Sequence, residues 1–164
     1  MDSILQLLRR LQEEQVDFVL IGGLAAALHG SSIITQDLDI CLRFTPENTV
    51  KLVNVLKDME PKYRMTPQRK AIPLDPVELE RFKNLYLATT AGQLDILSEV
   101  DGLGNFEDVK KQSIELQVNN LPLRMLTIDA IIHSKSVLKR DKDRRSIAEL
   151  MRLKKELEDR QNRS

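Results

Sequence analysis

The sequence predicts an α+β domain whose mixed, mostly antiparallel sheet is flanked by helices. Three observations lead to this fold class: an apolar strand followed by two glycines near the N-terminus, two hairpin-like segment pairs in the middle, and helical periodicity at both ends. The 164 residues suffice for one domain with a helical extension. We therefore expect a core spanning residues 1–126 and a C-terminal helical segment, residues 127–164, packed on the same domain.

Composition excludes several classes of protein. Aromatic residues make up only 4% of the chain and Trp is absent, so rows of exposed aromatics that stack bases are not available. Acidic and basic residues are equal in number, although basic residues predominate in 62–70 and 135–164 and could meet phosphates there. The single cysteine, Cys41, excludes an internal disulfide. With no signal-peptide pattern and no long apolar stretch, we expect a cytoplasmic protein without a membrane segment.

The first elements alternate between helix and strand. Residues 3–15 carry apolar side chains at helical spacing, and the apolar run 18–21 has the length of a strand. Residues 24–28 predict a short Ala-rich helix, which Gly30 would end in a left-handed conformation. Residues 37–44 alternate acidic or polar with apolar side chains and predict a second strand.

A third helix follows a clear start signal. Thr45, Pro46 and Glu47 supply a capping residue, a proline at the first helical position and an acid in the first turn. We expect this helix to reach about Met59, with a buried stripe formed by Val50, Val53 and Leu56. The segment 60–76 contains four prolines and predicts a long irregular loop.

Two strand pairs and two helices complete the chain. Strands are predicted at 85–89 and 93–97, joined through Ala91-Gly92, and at 114–118 and 121–126, joined through Asn119-Asn120. Thr127 would cap the next helix. The final helix has apolar residues at helical spacing, namely Ile147, Leu150, Met151 and Leu157.

Asp37 and Asp39 are the first candidates for a functional site. Alternate residues of a strand share a face, so both carboxylates would point away from the core-directed Leu38 and Ile40. Two carboxylates roughly 6.5–7 Å apart repel each other by about 2 kcal/mol at an effective dielectric constant near 20. A cation between them would remove this repulsion. The alternative is an edge strand with its charged face in water.

Two further features fit a phosphate and metal site. Gly22-Gly23 lies between a strand and a helix, where glycines let a phosphate approach the backbone, although such a pair is more often a tight turn. Asp95 lies between apolar residues in a predicted strand, as Asp39 does. If the two strands are neighbours, three carboxylates share one patch, and hard oxygen ligands of this kind suit two Mg²⁺ ions.

The spacing of these motifs resembles the DNA polymerase beta-like nucleotidyltransferase superfamily. Residues 20–23 (Leu-Ile-Gly-Gly) are followed after thirteen residues by 37–40 (Asp-Leu-Asp-Ile) and later by 94–96 (Leu-Asp-Ile). The resemblance implies the nucleotidyltransferase fold and transfer of a nucleoside monophosphate from a nucleoside triphosphate, such as ATP, to an acceptor hydroxyl with two Mg²⁺ ions. It implies that the metal ligands and catalytic residues are Asp37, Asp39 and Asp95, with Gly22 and Gly23 at the phosphates.

The C-terminal part is similar to small stand-alone members, including nucleotidyltransferase toxins of abortive-infection type. Lys135 and the segment 139–143 (Lys-Arg-Asp-Lys-Asp) carry this similarity, which implies a cognate antitoxin or partner protein. Lys135 falls on the apolar face of its helix, so its ammonium group should either extend to solvent or meet an anion. A nucleotide phosphate is one candidate, and an ion pair with Asp143 or with a carboxylate of the cleft is the other. Asp143 is also expected as a helix N-cap.

One departure and several alternatives stay open. Members of this subgroup often carry Arg where this chain has Ile33, so the positive charge of that Arg is either lacking here or supplied by another residue. A non-catalytic nucleotide- or RNA-binding regulatory module is the main alternative, and a sugar-nucleotide transferase is a weaker one. The acceptor could be RNA, such as a tRNA end, a small hydroxylated molecule or a protein side chain. For His29, His133 and Cys41 we expect structural roles.

Overall fold

The computed structural model describes residues 2–164, which form one mixed sheet with helices around it. In chain order the elements are α1 (Asp2–Glu13), β1 (Phe18–Ile21), α2 (Gly22–Leu28), β2 (Asp37–Leu42), α3 (Pro46–Leu56), β3 (Lys62–Tyr63), α4 (Pro76–Leu79), β4 (Asn84–Thr89), β5 (Gly92–Leu97), β6 (Glu99–Val100), β7 (Gly104–Asn105), α5 (Phe106–Lys111), β8 (Ser113–Val118), β9 (Leu121–Leu126), α6 (Ile128–Leu138), a 3-10 turn (Asp141–Asp143) and α7 (Arg144–Arg163).

Seven strands form the main sheet in the order β3-β4-β5-β2-β1-β9-β8, and β6 and β7 form a separate hairpin. Within residues 2–164 the sheet pairings are antiparallel except for β2 with β5 and β1 with β9. The predicted α+β class with a mostly antiparallel sheet is confirmed. Strand β2 lies at the centre of the sheet, where both of its neighbours are fixed by hydrogen bonds.

The alternation of apolar residues explains the sheet. Leu38 and Ile40 of β2 and Leu94 and Ile96 of β5 are fully buried, so the residues between them face the other way. Helix α1 adds one face of buried leucines to the same core, which also includes Ile131 of α6 and Leu150 of α7.

Local signals start and end most elements as the sequence predicts. The Thr45 side chain accepts a hydrogen bond from the Asn48 amide at the start of α3. Asn119 and Asn120 both have positive φ angles, 53° and 65°, as the tight turn between β8 and β9 requires. Thr127 caps α6 by accepting from the Ala130 amide. These contacts fix the ends of the elements that surround the site.

The predicted buried stripe of α3 is confirmed at Leu56, which is fully buried, and in part at Val53, which packs against the core. It is wrong at Val50, which is 47% exposed, and the helix ends at Leu56 rather than near Met59.

The polar Asn48 and Thr49 of α3 are buried as well, and the Asn48 side chain bonds the backbone of Asp17 and of Arg43. Satisfied polar groups can replace apolar ones in a core, so apolar spacing alone could not locate the whole buried face.

The segment 60–76 is more ordered than predicted. Strand β3 pairs with β4, and Lys62 forms a bridge with Ala71 that closes the segment 64–70 into a loop. Helix α4 begins at Pro76, where the Asp75 side chain accepts from the Val77 amide. The sequence analysis also missed α5, which a capping box between Asn105 and Asp108 starts.

Candidate active site

The carboxylates of Asp37, Asp39 and Asp95 lie on one face of the paired strands β2 and β5 and form the carboxylate edge of the site. The parallel register places Asp39 directly beside Asp95, and Asp37 beside Gln93. Residues side by side in neighbouring strands point to the same face of a sheet, so Asp39 and Asp95 project together, away from the buried Leu38 and Leu94. The condition that the sequence left open, adjacency of the two strands, is therefore met.

Asp39 is held in an unfavourable electrostatic environment. Burial, followed by the neighbouring charges of Asp95 and Asp37, raises its pKa to about 6, against weaker opposing effects of Arg64 and Lys135. Within residues 2–164, no hydrogen bond or salt bridge to its carboxylate opposes this rise. A partly buried carboxylate without a partner destabilises a fold, and such groups concentrate at functional sites.

Gly22 makes room for Asp39. It has a positive φ of 68°, and a Cβ at this position would overlap the Asp39 carboxylate. Gly23 is crowded by Thr35, whose Cβ would lie 2.9 Å from an added Cβ. The sequence analysis explained this glycine pair by the approach of a phosphate. The structure adds a second reason, because the turn from β1 to α2 passes directly over the carboxylate edge.

Arg64 is the one large feature of the site that the sequence analysis missed. Its Nη2 lies 2.6 Å from both carboxylate oxygens of Asp95, and the side chains are only 20% and 17% exposed. The hydrogen bond to Asp95 raises the pKa of Arg64 above its ordinary value. The sequence signal for Arg64 was the basic run 62–70, which contains no acidic residue, so any acidic partner of these side chains lies elsewhere in the chain.

On the other wall, a buried carboxylate has two cationic partners. Asp143 accepts from Arg140 Nε at 2.6 Å and lies 3.5 Å from Lys135 Nζ. Burial alone would raise the pKa of Asp143, but the Arg140 hydrogen bond and the charges of Lys135 and Arg140 outweigh it and hold the pKa below its usual value. Asp143 occupies the N-cap position of α7, as predicted, but its side chain makes no capping bond. The carboxylate is engaged by the two cations instead.

A cavity of about 330 Å³ lies between these two walls. The carboxylates of Asp39 and Asp95 line one side, and Lys135 and Arg140 line the other. Gly22 is also part of the lining, whereas Asp37 and Gly23 are not. The cavity thus brings together four of the six site residues predicted from the sequence.

A second, basic groove of about 640 Å³ adjoins this cavity through Lys135 and Arg140. Its lining includes Ile33 and the exposed Lys142 and Arg145. Positive charge is therefore present around the position where related sequences often carry Arg and this chain carries Ile33.

The carboxylates of the site fit magnesium in part. Within residues 2–164, no three His, Cys, Asp or Glu side chains converge as a metal-binding group. Asp37 and Asp39 offer hard oxygen ligands of the kind that Mg²⁺ prefers, and the Asp39 carboxylate has no salt-bridge partner in this part of the chain. Asp95 is held by Arg64. The residues fit a divalent cation at Asp37 and Asp39, while Asp95 is engaged by a cation of the chain itself.

The remaining candidates have structural roles. His29 Nε2 lies 2.7 Å from the carbonyl oxygen of Leu126, which ties the end of α2 to the sheet. Cys41 is fully buried, and burial raises the pKa of its thiol to about 12.

No helix in the described part of the chain is long and apolar enough to cross a membrane.

The sequence matches no protein-family model and no curated protein. Solved structures do match. The structure of the lincosamide antibiotic adenylyltransferase LnuA with lincomycin bound is similar, with a TM-score of 0.61 and 16% identity over 93% of this chain and 96% of that one. A predicted nucleotidyltransferase from Thermotoga maritima is similar with a TM-score of 0.53 and 16% identity, over 92% and 91% of the two chains.

This chain has the nucleotidyltransferase fold. The similarity extends over nearly the whole length of both matched structures, so it includes the C-terminal helices as well as the sheet. At this level of identity the match shows the fold alone. On this nucleotidyltransferase fold, the carboxylates of Asp39 and Asp95 and the cations of Lys135 in α6 and Arg140 after it line a single cavity.

Proposed function

We propose that the chain is a nucleotidyltransferase that moves a nucleoside monophosphate from a nucleoside triphosphate to an acceptor hydroxyl. The observation that carries this proposal is the opposition of charges across the cavity, with Asp39 and Asp95 on one wall and Lys135 and Arg140 on the other. A triphosphate with a divalent cation presents both signs of charge and matches such a cavity. The shared fold supports the same assignment.

The cationic wall would receive the donor phosphates. Lys135 and Arg140 are both held by Asp143, so their positive ends are fixed before a ligand arrives. Fixed cations stabilise developing phosphate charge without reorganising during the reaction. Gly22 and Gly23 would let the phosphates pass close to the backbone where β1 turns into α2, and the basic groove beside Ile33 would supply the charge that related sequences obtain from Arg.

The carboxylate wall would place the cation and the acceptor. Asp37 and Asp39 would hold magnesium, and Asp95 would share it when Arg64 is displaced. Magnesium, when bound, neutralises phosphate charge and lowers the pKa of an attacking hydroxyl. Asp95 lies beside Asp39 on the side of β4 and would orient the acceptor hydroxyl and accept its proton.

We propose a small hydroxylated molecule as the first candidate for the acceptor. The cavity volume of about 330 Å³ is at the lower end of small-molecule sites, which run from about 300 to 1,000 Å³. The matched adenylyltransferase structure contains lincomycin, itself a small molecule, and this chain covers 96% of that protein. An RNA or tRNA end is the second candidate, because the adjoining groove is basic.

The finer assignments rest on the sequence resemblance. A preference for ATP, two magnesium ions, a toxin-type role with a cognate antitoxin and a cytoplasmic location are proposed from the motifs around Asp37 and Lys135. The toxin-type role would be tested by expressing the chain alone and together with the product of its neighbouring gene. Growth arrest by the chain alone and rescue by the neighbour would support the role, and normal growth would contradict it.

The test of the proposed reaction uses α-phosphate-labelled triphosphates of each base with Mg²⁺. The acceptors are total RNA in one arm and a panel of small amino and hydroxyl compounds in the other. Label should appear in one arm with wild-type protein and disappear with Asp37→Ala and Asp39→Ala. Asp159→Ala, an exposed carboxylate of α7, is the matched control. Triphosphate binding without transfer to any acceptor would favour the non-catalytic regulatory module instead.

A further inference from the structure

Arg64 enters the site from a short strand at the edge of the sheet. It directly follows β3, and its backbone amide donates to the carbonyl oxygen of Tyr86 at 2.9 Å. Residues 65–71 after it are exposed. The side chain turns inward instead and is only 20% exposed. Its backbone is thus fixed by the sheet, while its side chain is free to take a different rotamer without breaking a sheet hydrogen bond.

The contacts of the guanidinium are unevenly distributed. Nη2 lies 2.6 Å from both oxygens of Asp95, and the group sits 5.8 Å from the centre of the Tyr86 ring. Nη1 has only the sulfur of Met65, at 3.5 Å. Nε is buried and has no acceptor within residues 2–164. Asp95 is therefore the one carboxylate at salt-bridge distance from Arg64 in the described part of the chain.

A buried N–H without an acceptor is unfavourable, and a guanidinium built only for structure usually satisfies several of its five donors. Arg64 satisfies Nη2 well and Nε not at all. The attraction of Asp95 alone accounts for its position. Because the same two Asp95 oxygens would bind a divalent cation, Arg64 and that cation compete for one carboxylate.

We propose that Arg64 is a positioning residue that holds Asp95 as an internal counter-ion and weakens binding of a divalent cation until the donor arrives. This inference rests on the proposed function, in which Asp95 is a metal ligand. Without Arg64, Asp39 and Asp95 would stand side by side with no positive charge between them. With it, the cation-free site is stabilised, and its affinity for a lone cation falls. The phosphates of the donor restore the negative charge that Arg64 removes, so cation and donor bind together.

The test measures Mn²⁺ binding by electron paramagnetic resonance in the absence of nucleotide. Arg64→Gln should bind Mn²⁺ at least about tenfold more tightly than wild type, because a full positive charge next to the ligand oxygens is gone. Arg69→Gln is the matched control, since Arg69 lies in the same loop and is exposed. It should leave Mn²⁺ affinity unchanged. In an Asp95→Asn background the gain from Arg64→Gln should be much smaller, because the direct contact is gone and only the longer-range charge of Arg64 on Asp39 remains.

A second measurement uses the wild-type chain and does not depend on the folding of Arg64→Gln. The ¹H–¹⁵N resonance of Arg64 Nε, assigned with Arg64→Lys, should shift when Mg²⁺ saturates the site. A folded Arg64→Gln with wild-type Mn²⁺ affinity, an undiminished gain in Asp95→Asn, or an Nε resonance unmoved by saturating Mg²⁺ would overturn the inference. None of these measurements includes transfer. If they fail while Asp39→Ala still abolishes transfer, the inference fails and the proposed function stands; if they succeed without transfer, only the function fails.

Discussion

Two carboxylates beside the same cavity have opposite surroundings. Asp143, at the junction of α6 and α7, is 5% exposed and has Lys135 and Arg140 as partners, which hold its pKa below the usual value despite burial. Asp39, in β2, has no salt-bridge partner within residues 2–164, and burial together with Asp95 and Asp37 raises its pKa to about 6. One carboxylate stabilises the fold in its charged form, and the other destabilises it.

This difference separates structure from function within one site. A buried carboxylate with cationic partners contributes to folding, and Asp143 also fixes the two cations that face the cavity. An unpaired one is kept in a natural protein where activity requires it, because many substitutions at such a position would stabilise the fold. The comparison therefore assigns the reaction to the carboxylates of β2 and the positioning of the facing cations to the junction of α6 and α7.

The largest expected effect is the loss of nucleotidyl transfer when a carboxylate of β2 is removed. Asp37→Asn and Asp39→Asn should each lower the transfer rate by about a thousandfold or more, because each removes a charge that the transition state needs. The circular dichroism of both variants should match wild type. A rate within tenfold of wild type in both would place the reaction elsewhere.

Gly22→Ala should reproduce part of that loss without touching a charge. An added Cβ overlaps the Asp39 carboxylate and strains a residue with positive φ, so we expect transfer to fall by about 10- to 100-fold. Gly30→Ala is the control, since Gly30 also has a positive φ but an added Cβ there would contact only Leu153. Equal losses of transfer in the two variants would show that backbone strain, and not the position of Asp39, is responsible.

The direction of the site carboxylates could be predicted from the sequence, because alternating apolar residues show which face of a strand is buried. Leu38 and Ile40 determine where Asp37 and Asp39 point, and Leu94 and Ile96 do the same for Asp95. The pairing of β2 with β5 could be stated only as a condition, since these strands are far apart in the chain and no local signal encodes their contact. The resemblance supplied the expectation that they meet.

Other features could not be read from local pattern. The direction of the Arg64 side chain depends on the pairing of β3 with β4, which residues 60–76 do not signal. The buried face of α3 was predicted only in part, since Val50 is exposed and the buried Asn48 is satisfied by backbone groups of Asp17 and Arg43. The Lys135–Asp143 pair was one of two alternatives, and choosing between them required the position of the 3-10 turn. The domain boundary at residue 126 stays a prediction.

Asp143→Asn tests the other half of the comparison. Removing this charge leaves Lys135 and Arg140 without their partner, and we expect a loss of about 2–3 kcal/mol in the free energy of unfolding. This is below the 3–5 kcal/mol typical of fully buried pairs, because Arg140 is 44% exposed. Urea unfolding followed by circular dichroism measures it. An unchanged midpoint would mean that Asp143 is not a structural carboxylate.

The smallest expected effect has the opposite sign. Because the pKa of Asp39 is raised on folding, the folded chain binds the proton more tightly, and stability should decrease as pH rises from about 4 to about 6. With divalent cations removed by EDTA, Asp39→Asn should therefore be more stable than wild type at pH 7.5, by about 1–2 kcal/mol after allowance for solvent screening. The difference should disappear near pH 4. A destabilised Asp39→Asn at pH 7.5 would contradict the contrast with Asp143.

The most direct test of the central claim follows the two ends of a triphosphate separately. With label on the α-phosphate, wild-type protein should transfer radioactivity to the acceptor; with label on the γ-phosphate, it should release radioactivity as pyrophosphate. Asp39→Asn should do neither. Transfer of the γ-label to the acceptor, or α-label transfer that survives in Asp39→Asn, would contradict a nucleotidyl transfer centred on the Asp39 edge.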